Sequence, residues 1–242
     1  MGKLSVSALT YICGAGERQN GAGLRALLLL RRKDITMVKK LILVTSPPAC
    51  GKTYISKALA ARLEHVVYLD KDTLITLSKQ IFKVANQPYN RSSQFFEDNI
   101  RDYEYDCVVD LALEALDYED KVLINAPFTR EIRDMDYIKG LEKKLAEKNA
   151  TLVVVWVETS PEIVHKRMID RNSDRDTWKL EHWDEYIAGC NFEIPENLKR
   201  PGAKDSLIIF KNNNEKEFEN SMKKCVSILD ETMNEDSLQQ VG

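Results

Sequence analysis

The run Lys40-Leu41-Ile42-Leu43-Val44-Thr45-Ser46-Pro47-Pro48-Ala49-Cys50-Gly51-Lys52-Thr53 decides the fold. Leu41 to Val44 is a short apolar run bounded by turn residues, the pattern of a buried strand. Thr45-Ser46-Pro47-Pro48 breaks it. Beyond Gly51-Lys52-Thr53, Ile55, Leu59 and Leu63 recur every four positions and so share one helical face. A strand, a loop ending in Gly-Lys-Thr and a helix make up a phosphate-binding P-loop. Successive backbone N–H groups at the positive end of a helix suit a polyphosphate. Lys52 adds a mobile point charge, and the Thr53 hydroxyl is placed to ligate Mg²⁺. Ser46, Pro47, Pro48, Ala49, Cys50, Gly51, Lys52 and Thr53 are therefore the candidate nucleotide-binding residues. The pattern G-x-x-x-x-G-K-S/T is met except at its first position, where Ser46 replaces glycine. A side chain there makes unusual backbone angles costlier, and serine is the mildest such replacement.

Outward from this loop, the chain alternates strands and helices. His65 to Leu69 reads as a second strand, ending in Asp70-Lys71-Asp72-Thr73. Open α/β sheets place their chemistry at such strand ends. Leu74 to Ala85 reads as a helix, and residues 94–117 as a long amphipathic one with Ile100, Tyr103, Cys107, Leu111 and Ala115 on one side. Lys121 to Phe128, carrying Asn125, is the third strand. The fourth, Thr151 to Val157, is a continuous apolar run of the kind buried on both sheet faces. Thr159-Ser160-Pro161-Glu162 then starts a helix with a capping hydroxyl and Pro in the first turn. The last strand is Ser206 to Phe210, followed by Asn212 to Asn214 and a final helix to about Leu229. Five strands alternating with helices predict an α/β fold: a P-loop NTPase with a five-stranded parallel sheet, helices on both faces and a helical lid.

Composition sets the bounds. The 242 residues are 43% hydrophobic and 30% charged with a formal net charge of −3, so nothing global demands nucleic acid or a membrane surface as partner. No apolar run approaches the ~18 residues of a spanning helix. The five cysteines show no C-x-x-C and no zinc spacing, which fits a reducing, cytoplasmic setting. Residues 1–36 differ from the rest: Lys3, Arg18, Arg25, Arg31, Arg32 and Lys33 outnumber Glu17 and Asp34. We read them as an extension, residues 37–230 as the P-loop domain and 231–242 as a polar tail.

A second constellation is Arg167, Arg171 and Arg175. The first two lie four apart on one helical face, and the third falls just past the helix end. Guanidinium groups closing over a nucleotide neutralise charge on a transferring phosphoryl group. The plainer alternative is a solvated basic face paired with Asp170, Asp174 and Asp176.

Together, Ser46 to Thr53, Asp70-Lys-Asp72-Thr-Leu-Ile75 and the Arg167/Arg171/Arg175 set resemble the P-loop small-molecule and nucleic-acid-end kinases over about residues 38–228. That group includes chloramphenicol phosphotransferase, zeta toxin, polynucleotide 5′-kinase and, more distantly, shikimate and nucleoside monophosphate kinases; unassigned members are often labelled AAA-family ATPases. The resemblance implies ATP and Mg²⁺ as cofactors and γ-phosphoryl transfer to a hydroxyl-bearing acceptor. It makes Asp72 the base that orients that hydroxyl, and Lys52 with Arg167, Arg171 and Arg175 the charge-stabilising set. Asp70 is left to contact Mg²⁺ through water or to cap the following helix. At the end of the third strand, where many relatives carry Asp, this chain has Asn125. Asn212 to Asn214 fall where relatives hold adenine, with a plain turn as the equal alternative. The acceptor would be gripped by residues 73–118, where Arg91, Phe95, Phe96, Arg101, Tyr103 and Tyr105 gather. The runner-up reading is a nucleotide-dependent switch or ATPase acting on a protein or RNA partner. The residues choose neither the acceptor nor between ATP and GTP, and they leave the oligomeric state open.

Overall fold

The computed structural model describes residues 39–172, 176–199 and 206–230. The expectations for the extension 1–36, the tail 231–242 and Arg175 lie outside the described residues. Five parallel strands form one sheet in the order β2-β3-β1-β4-β5: β1 Lys39–Thr45, β2 Val66–Asp70, β3 Lys121–Asn125, β4 Ala150–Glu158 and β5 Leu207–Lys211. The P-loop strand β1 is central. Its side chains alternate between two cores, as a strand covered on both faces requires. Ile42 and Val44 pack with helices α1 (Lys52–Ala60), α5 (Pro161–Arg171) and α8 (Glu215–Asp230) through Ile55, Met168 and Met222. Leu41 and Leu43 face the opposite core, built with α3 (Asp102–Ala115) and α4 (Met135–Ala146) through Val108, Ala112 and Leu141. Between β2 and α3 the chain forms a short 3₁₀ turn, Lys71–Leu74, then α2 (Ile75–Val84), and returns by a helical segment from Gln94. Short helices α6 (Thr177–Glu181) and α7 (Trp183–Ala188) follow α5.

Register determines what meets at the sheet's C-terminal edge. Val44 pairs with Asn125 on one side and Val155 on the other, and Asp70 pairs with Asn125. The chain leaves β1 toward β2 but leaves β4 toward β5. The divergence opens a crevice above β1, the switch point at which open α/β sheets bind ligands.

Four local expectations are corrected. The second strand starts at Val66 because His65 takes a left-handed φ of 51°. The third ends at Asn125, short of Pro127, which has no N–H to give a ladder. Ser160 precedes α5 but makes no side-chain cap bond. The most consequential correction concerns α3. Tyr103, Cys107 and Leu111 are exposed, and the buried face carries Tyr105, Val108, Val109, Ala112 and Leu113. The buried face runs on from Ile100 at four-residue steps through Glu104, Val108 and Ala112, and the step of three from Ile100 to Tyr103 leads onto the exposed face instead.

Trp156 on β4 fills the core on the α4 side, 1% exposed, with the Arg133 guanidinium 5.2 Å from its ring centre. Trp156→Ala should destabilise the fold by about 3–5 kcal/mol, read as a lower urea midpoint.

Candidate active site

The loop after β1 does not strain where its sequence departs from the pattern. Ser46 is fully buried, lies outside the left-handed region, and donates its hydroxyl to Pro47 O at 2.8 Å. The unusual backbone is instead at Ala49 (φ 61°) and Gly51 (φ 92°). Pro47 is buried and Pro48 exposed. Gly51 is the N-cap of α1, and the first main-chain amide of that helix with a backbone acceptor is Ile55, at 3.1 Å from Gly51 O. The N–H groups before it form the uncapped, positive end of a helix.

One carbonyl fixes the loop from beneath. Cys50 O accepts from Thr159 Oγ1 at 3.1 Å, Arg167 Nη1 at 3.3 Å and Asn212 Nδ2 at 2.7 Å. Arg167 also donates to Asn212 O at 2.7 Å. Arg167 and Asn212 are thus brought to the loop, and Thr159 joins them without having been anticipated. Burial pushes the Cys50 thiol up to about 12, against hydrogen bonds from Thr159 and Ser46; it is an inert filler.

On the opposite side of the loop, Lys52, Thr53 and Asp70 converge on Asn125, which is 2% exposed. Lys52 Nζ donates to Asn125 Oδ1 at 3.0 Å, and Ser56 Oγ to the same oxygen at 3.3 Å. Asn125 Nδ2 donates to Asp70 Oδ2 at 3.0 Å and to Thr53 Oγ1 at 3.3 Å. Burial lowers the Lys52 pKa, and the charges of Asp72 and Asp70 oppose that shift. Of its two readings, Asp70 meets the capping one: Oδ1 accepts from Asp72 N of the 3₁₀ turn at 3.0 Å, while Oδ2 faces the loop and also accepts from Tyr68 OH at 2.9 Å.

Asp72 stands on that turn, 61% exposed, with Lys71 Nζ 3.6 Å away. Lys71 is buried and bonded to Glu104 Oε2 at 2.8 Å. Arg91 forks onto both oxygens of Glu104 at 2.6 and 2.7 Å, and Ser78 bonds it too. Burial raises the Glu104 pKa, but hydrogen bonds from Arg91, Lys71 and Ser78 outweigh it and hold the carboxyl at about 2. Neither Lys71 nor Glu104 was anticipated. The signal was present: Glu104 is four residues before Val108, on the buried face of α3. Arg101 instead pairs with Glu131 at 2.6 Å, and Phe96 stacks beneath Arg91.

Arg171 is not brought to the loop. Its Nε donates to Asp176 Oδ2 at 2.8 Å, and Lys179 reaches the other oxygen at 3.3 Å. This is one pairing that the solvated-face alternative foresaw.

Two expectations follow from this geometry. A Cβ on Gly51 would stand 2.6 Å from Asn212 Nδ2, at a backbone angle side chains rarely adopt. Gly51→Ala should cost about 1–3 kcal/mol of stability and weaken binding of a non-hydrolysable ATP analogue, measured by calorimetry. The second concerns acid. Because Glu104 titrates at about 2 in the fold against an ordinary 4.5, its contribution is in full force above pH 4.5 and fades as pH falls toward 2. The stability gap between wild type and Glu104→Gln should close over that window in acid-titrated urea melts.

Residues 41–192, well over half of the chain, match the family model described as an AAA domain. Among curated proteins none matches the sequence. Solved structures share the fold. A protein from Chloroflexus aurantiacus J-10-fl, known only as a candidate kinase, is 15% identical with a TM-score of 0.50, over 81% of this chain and 100% of that one. A sugar kinase from Janibacter sp. HTCC2649 is 13% identical with a TM-score of 0.50, over 79% and 95%. Shikimate kinase from Bacteroides thetaiotaomicron is 15% identical at a TM-score of 0.46, over 79% and 98%. At these identities the likeness establishes an architecture and leaves the chemistry to the residues. The chain belongs to the AAA domain family and has the fold of the P-loop kinases.

Proposed function

We propose that this protein is an ATP- and Mg²⁺-dependent kinase that transfers the γ-phosphoryl group to a hydroxyl of a small-molecule or nucleotide-like acceptor. The observation that carries the reading is the meeting of Lys52, Thr53 and Asp70 on the Asn125 amide, directly beneath an open helix N-terminus. A cation, a hydroxyl and a carboxylate at that position suit a metal-bound triphosphate and little else.

Both Thr53 Oγ1 and Asp70 Oδ2 accept from one donor nitrogen, so two hard oxygen ligands lie close together. Mg²⁺ is usually held by one or two protein oxygens with water and phosphate completing the shell. The pair fits, with Thr53 as direct ligand and Asp70 acting through water; bound there, Mg²⁺ would neutralise phosphate charge. Lys52 can turn from Asn125 to the outer phosphates. Loop residues 46–53 would cradle them, with Asn212 bracing the loop where relatives hold adenine.

Asp72 projects from the turn beside this cluster, exposed to a ligand and flanked by Lys71. A carboxylate there is a weak base, but it need only orient the acceptor hydroxyl and take its proton late in a loose transition state. Arg167 is on the loop already. For Arg171 to touch the transferring group it must exchange Asp176 for phosphate oxygens, which makes α5 to α7 the moving lid; Arg175 would act with it. Closure keeps water from consuming ATP.

The test is ATP turnover with and without a panel of hydroxylated acceptors. Lys52→Ala should lower kcat/KM by roughly 10²- to 10³-fold with the fold intact. Asp72→Ala should abolish acceptor-stimulated turnover, by roughly 10²- to 10⁴-fold, while ATP-analogue binding persists. Unchanged kinetics in Lys52→Ala would remove the assignment. Stimulation by a protein or RNA that ignores Asp72 would put a nucleotide switch in the kinase's place.

A further inference from the structure

Between α2 and α3 lies a hollow of about 130 Å³ whose wall is apolar, built by Leu77, Ile81, Ile100, Tyr103 and Cys107. Leu77, Tyr103 and Cys107 are exposed, so it opens to solvent. The space is slightly smaller than the ~150 Å³ that holds benzene. It therefore suits one ring-sized apolar group and not a whole ligand, whose pockets run to several hundred Å³. The polar groups of the lining are already engaged. Ser78 bonds Glu104, Asn99 Nδ2 donates to Phe95 O at 3.0 Å, and Glu104 accepts from Lys71 and Arg91.

The hollow adjoins the proposed base. Leu74, part of its lining, ends the 3₁₀ turn on which Asp72 stands, two residues or roughly 4 Å of rise away. Glu104, also part of the lining, accepts from Lys71 Nζ at 2.8 Å, and that nitrogen lies 3.6 Å from Asp72 Oδ1. Asp72 and Thr73 are exposed and Leu74 is half-buried. Charge then narrows what can enter. Among the described residues no lysine or arginine lines the hollow. The two arginines expected to grip an acceptor are held by carboxylates, Arg91 by Glu104 and Arg101 by Glu131. A phosphate or carboxylate entering here would lose its hydration with no cation to receive it.

We infer that the acceptor is an uncharged alcohol bearing a ring-sized apolar group, which the hollow between α2 and α3 receives while the hydroxyl, a few carbons away, faces Asp72. The inference rests on the proposed kinase reading and narrows it, setting nucleotides and sugar phosphates aside. The transfer itself keeps its balance. The acceptor oxygen bonds the γ-phosphorus, the bond to the bridging oxygen breaks, ADP departs with that electron pair, and the hydroxyl proton passes to Asp72.

The test is steady-state turnover of Mg²⁺–ATP with three sets of acceptors. One set is uncharged alcohols with a ring, led by 3-phenyl-1,2-propanediol; the second is their ring-less homologues, led by 1,2-propanediol; the third is phosphate esters, glycerol 3-phosphate and AMP. The ringed diol should exceed the ring-less one at least about tenfold in kcat/KM, and the esters should be weaker still. Cys107→Trp fills the hollow, and Leu77→Asp puts a charge at its mouth. Each should bring the ratio of ringed to ring-less diol toward one, chiefly by raising KM for the ringed diol. A ratio taken within one protein is insensitive to partial unfolding of a variant. Stimulation by the phosphate esters above the diols, or a ratio that neither variant moves, would overturn this inference and leave the kinase reading standing. If no acceptor in any set stimulates turnover and Asp72→Ala behaves as wild type, the kinase reading itself falls, and this narrowing falls with it.

Discussion

The cleft is organised around one buried amide. Asn125 ends a strand that is buried along its whole length, where an unpaired polar group would cost several kcal/mol. Its two polar atoms are both engaged, the oxygen by Lys52 and Ser56, the nitrogen by Asp70 and Thr53. An amide can face a cation with one atom and a carboxylate with the other, which a carboxylate or an ammonium cannot. A carboxylate at this position would satisfy Lys52 but would set a like charge 3.0 Å from Asp70 Oδ2. The departure from the pattern of the resembling kinases therefore goes with a second one. With an amide on β3, the carboxylate that faces Thr53 comes from β2, and register puts the two side by side.

The loop above is held by the same economy of partners. Elements from three places in the chain, the ends of β4 and β5 and the middle of α5, reach the single carbonyl of Cys50. Their donors draw that carbonyl inward, and a peptide unit whose oxygen points down turns neighbouring N–H groups up. The left-handed angle at Ala49 is the local cost, of order 1–3 kcal/mol, while Gly51 adopts its φ of 92° without that penalty. Convergence of three donors is what can maintain it. Serine in place of the first glycine is harmless for a related reason: the sharp turning has been placed further along the loop.

How far the sequence announces this depends on how local the cause is. The strands, their order of appearance and the P-loop were legible because apolar runs and the Gly-Lys-Thr spacing are short-range signals. Both faces of β4 could be read as buried from Leu152 to Val157 alone. Strand ends shifted by a few residues, at His65 and Pro127, for backbone reasons visible only once φ angles are known. The face of α3 was lost because two apolar stripes compete over residues 103–116, and the buried one passes through Glu104, a charge that masks it. Arg167 and Asn212 meet at the Cys50 carbonyl, a contact the sequence does not announce, and Arg171 meets Asp176, a partner only five residues away that composition could not rank above phosphate. Glu104 and the roles of Thr159 and Lys71 went unforeseen because their importance lies in partners remote in the chain.

The Glu104 network also decides which part of the molecule can move. Lys71, Arg91 and Ser78 fill both oxygens of a carboxylate that is almost wholly buried. Withdrawing both cations would strand the carboxylate in the core, at a cost of roughly 3–5 kcal/mol. Arg91 is further fixed over the Phe96 ring at 4.5 Å, and Phe96 packs with Phe82 of α2. The turn bearing Asp72, helix α2 and the start of α3 are thus tied together through Glu104 and Phe82. The Arg171–Asp176 pair differs in kind: its arginine is one-third exposed, and if Arg171 leaves, Lys179 remains on the buried Asp176 carboxylate. Under the proposed kinase reading, closure would therefore come from the α5–α7 side, carrying Arg171 toward the turn that bears Asp72.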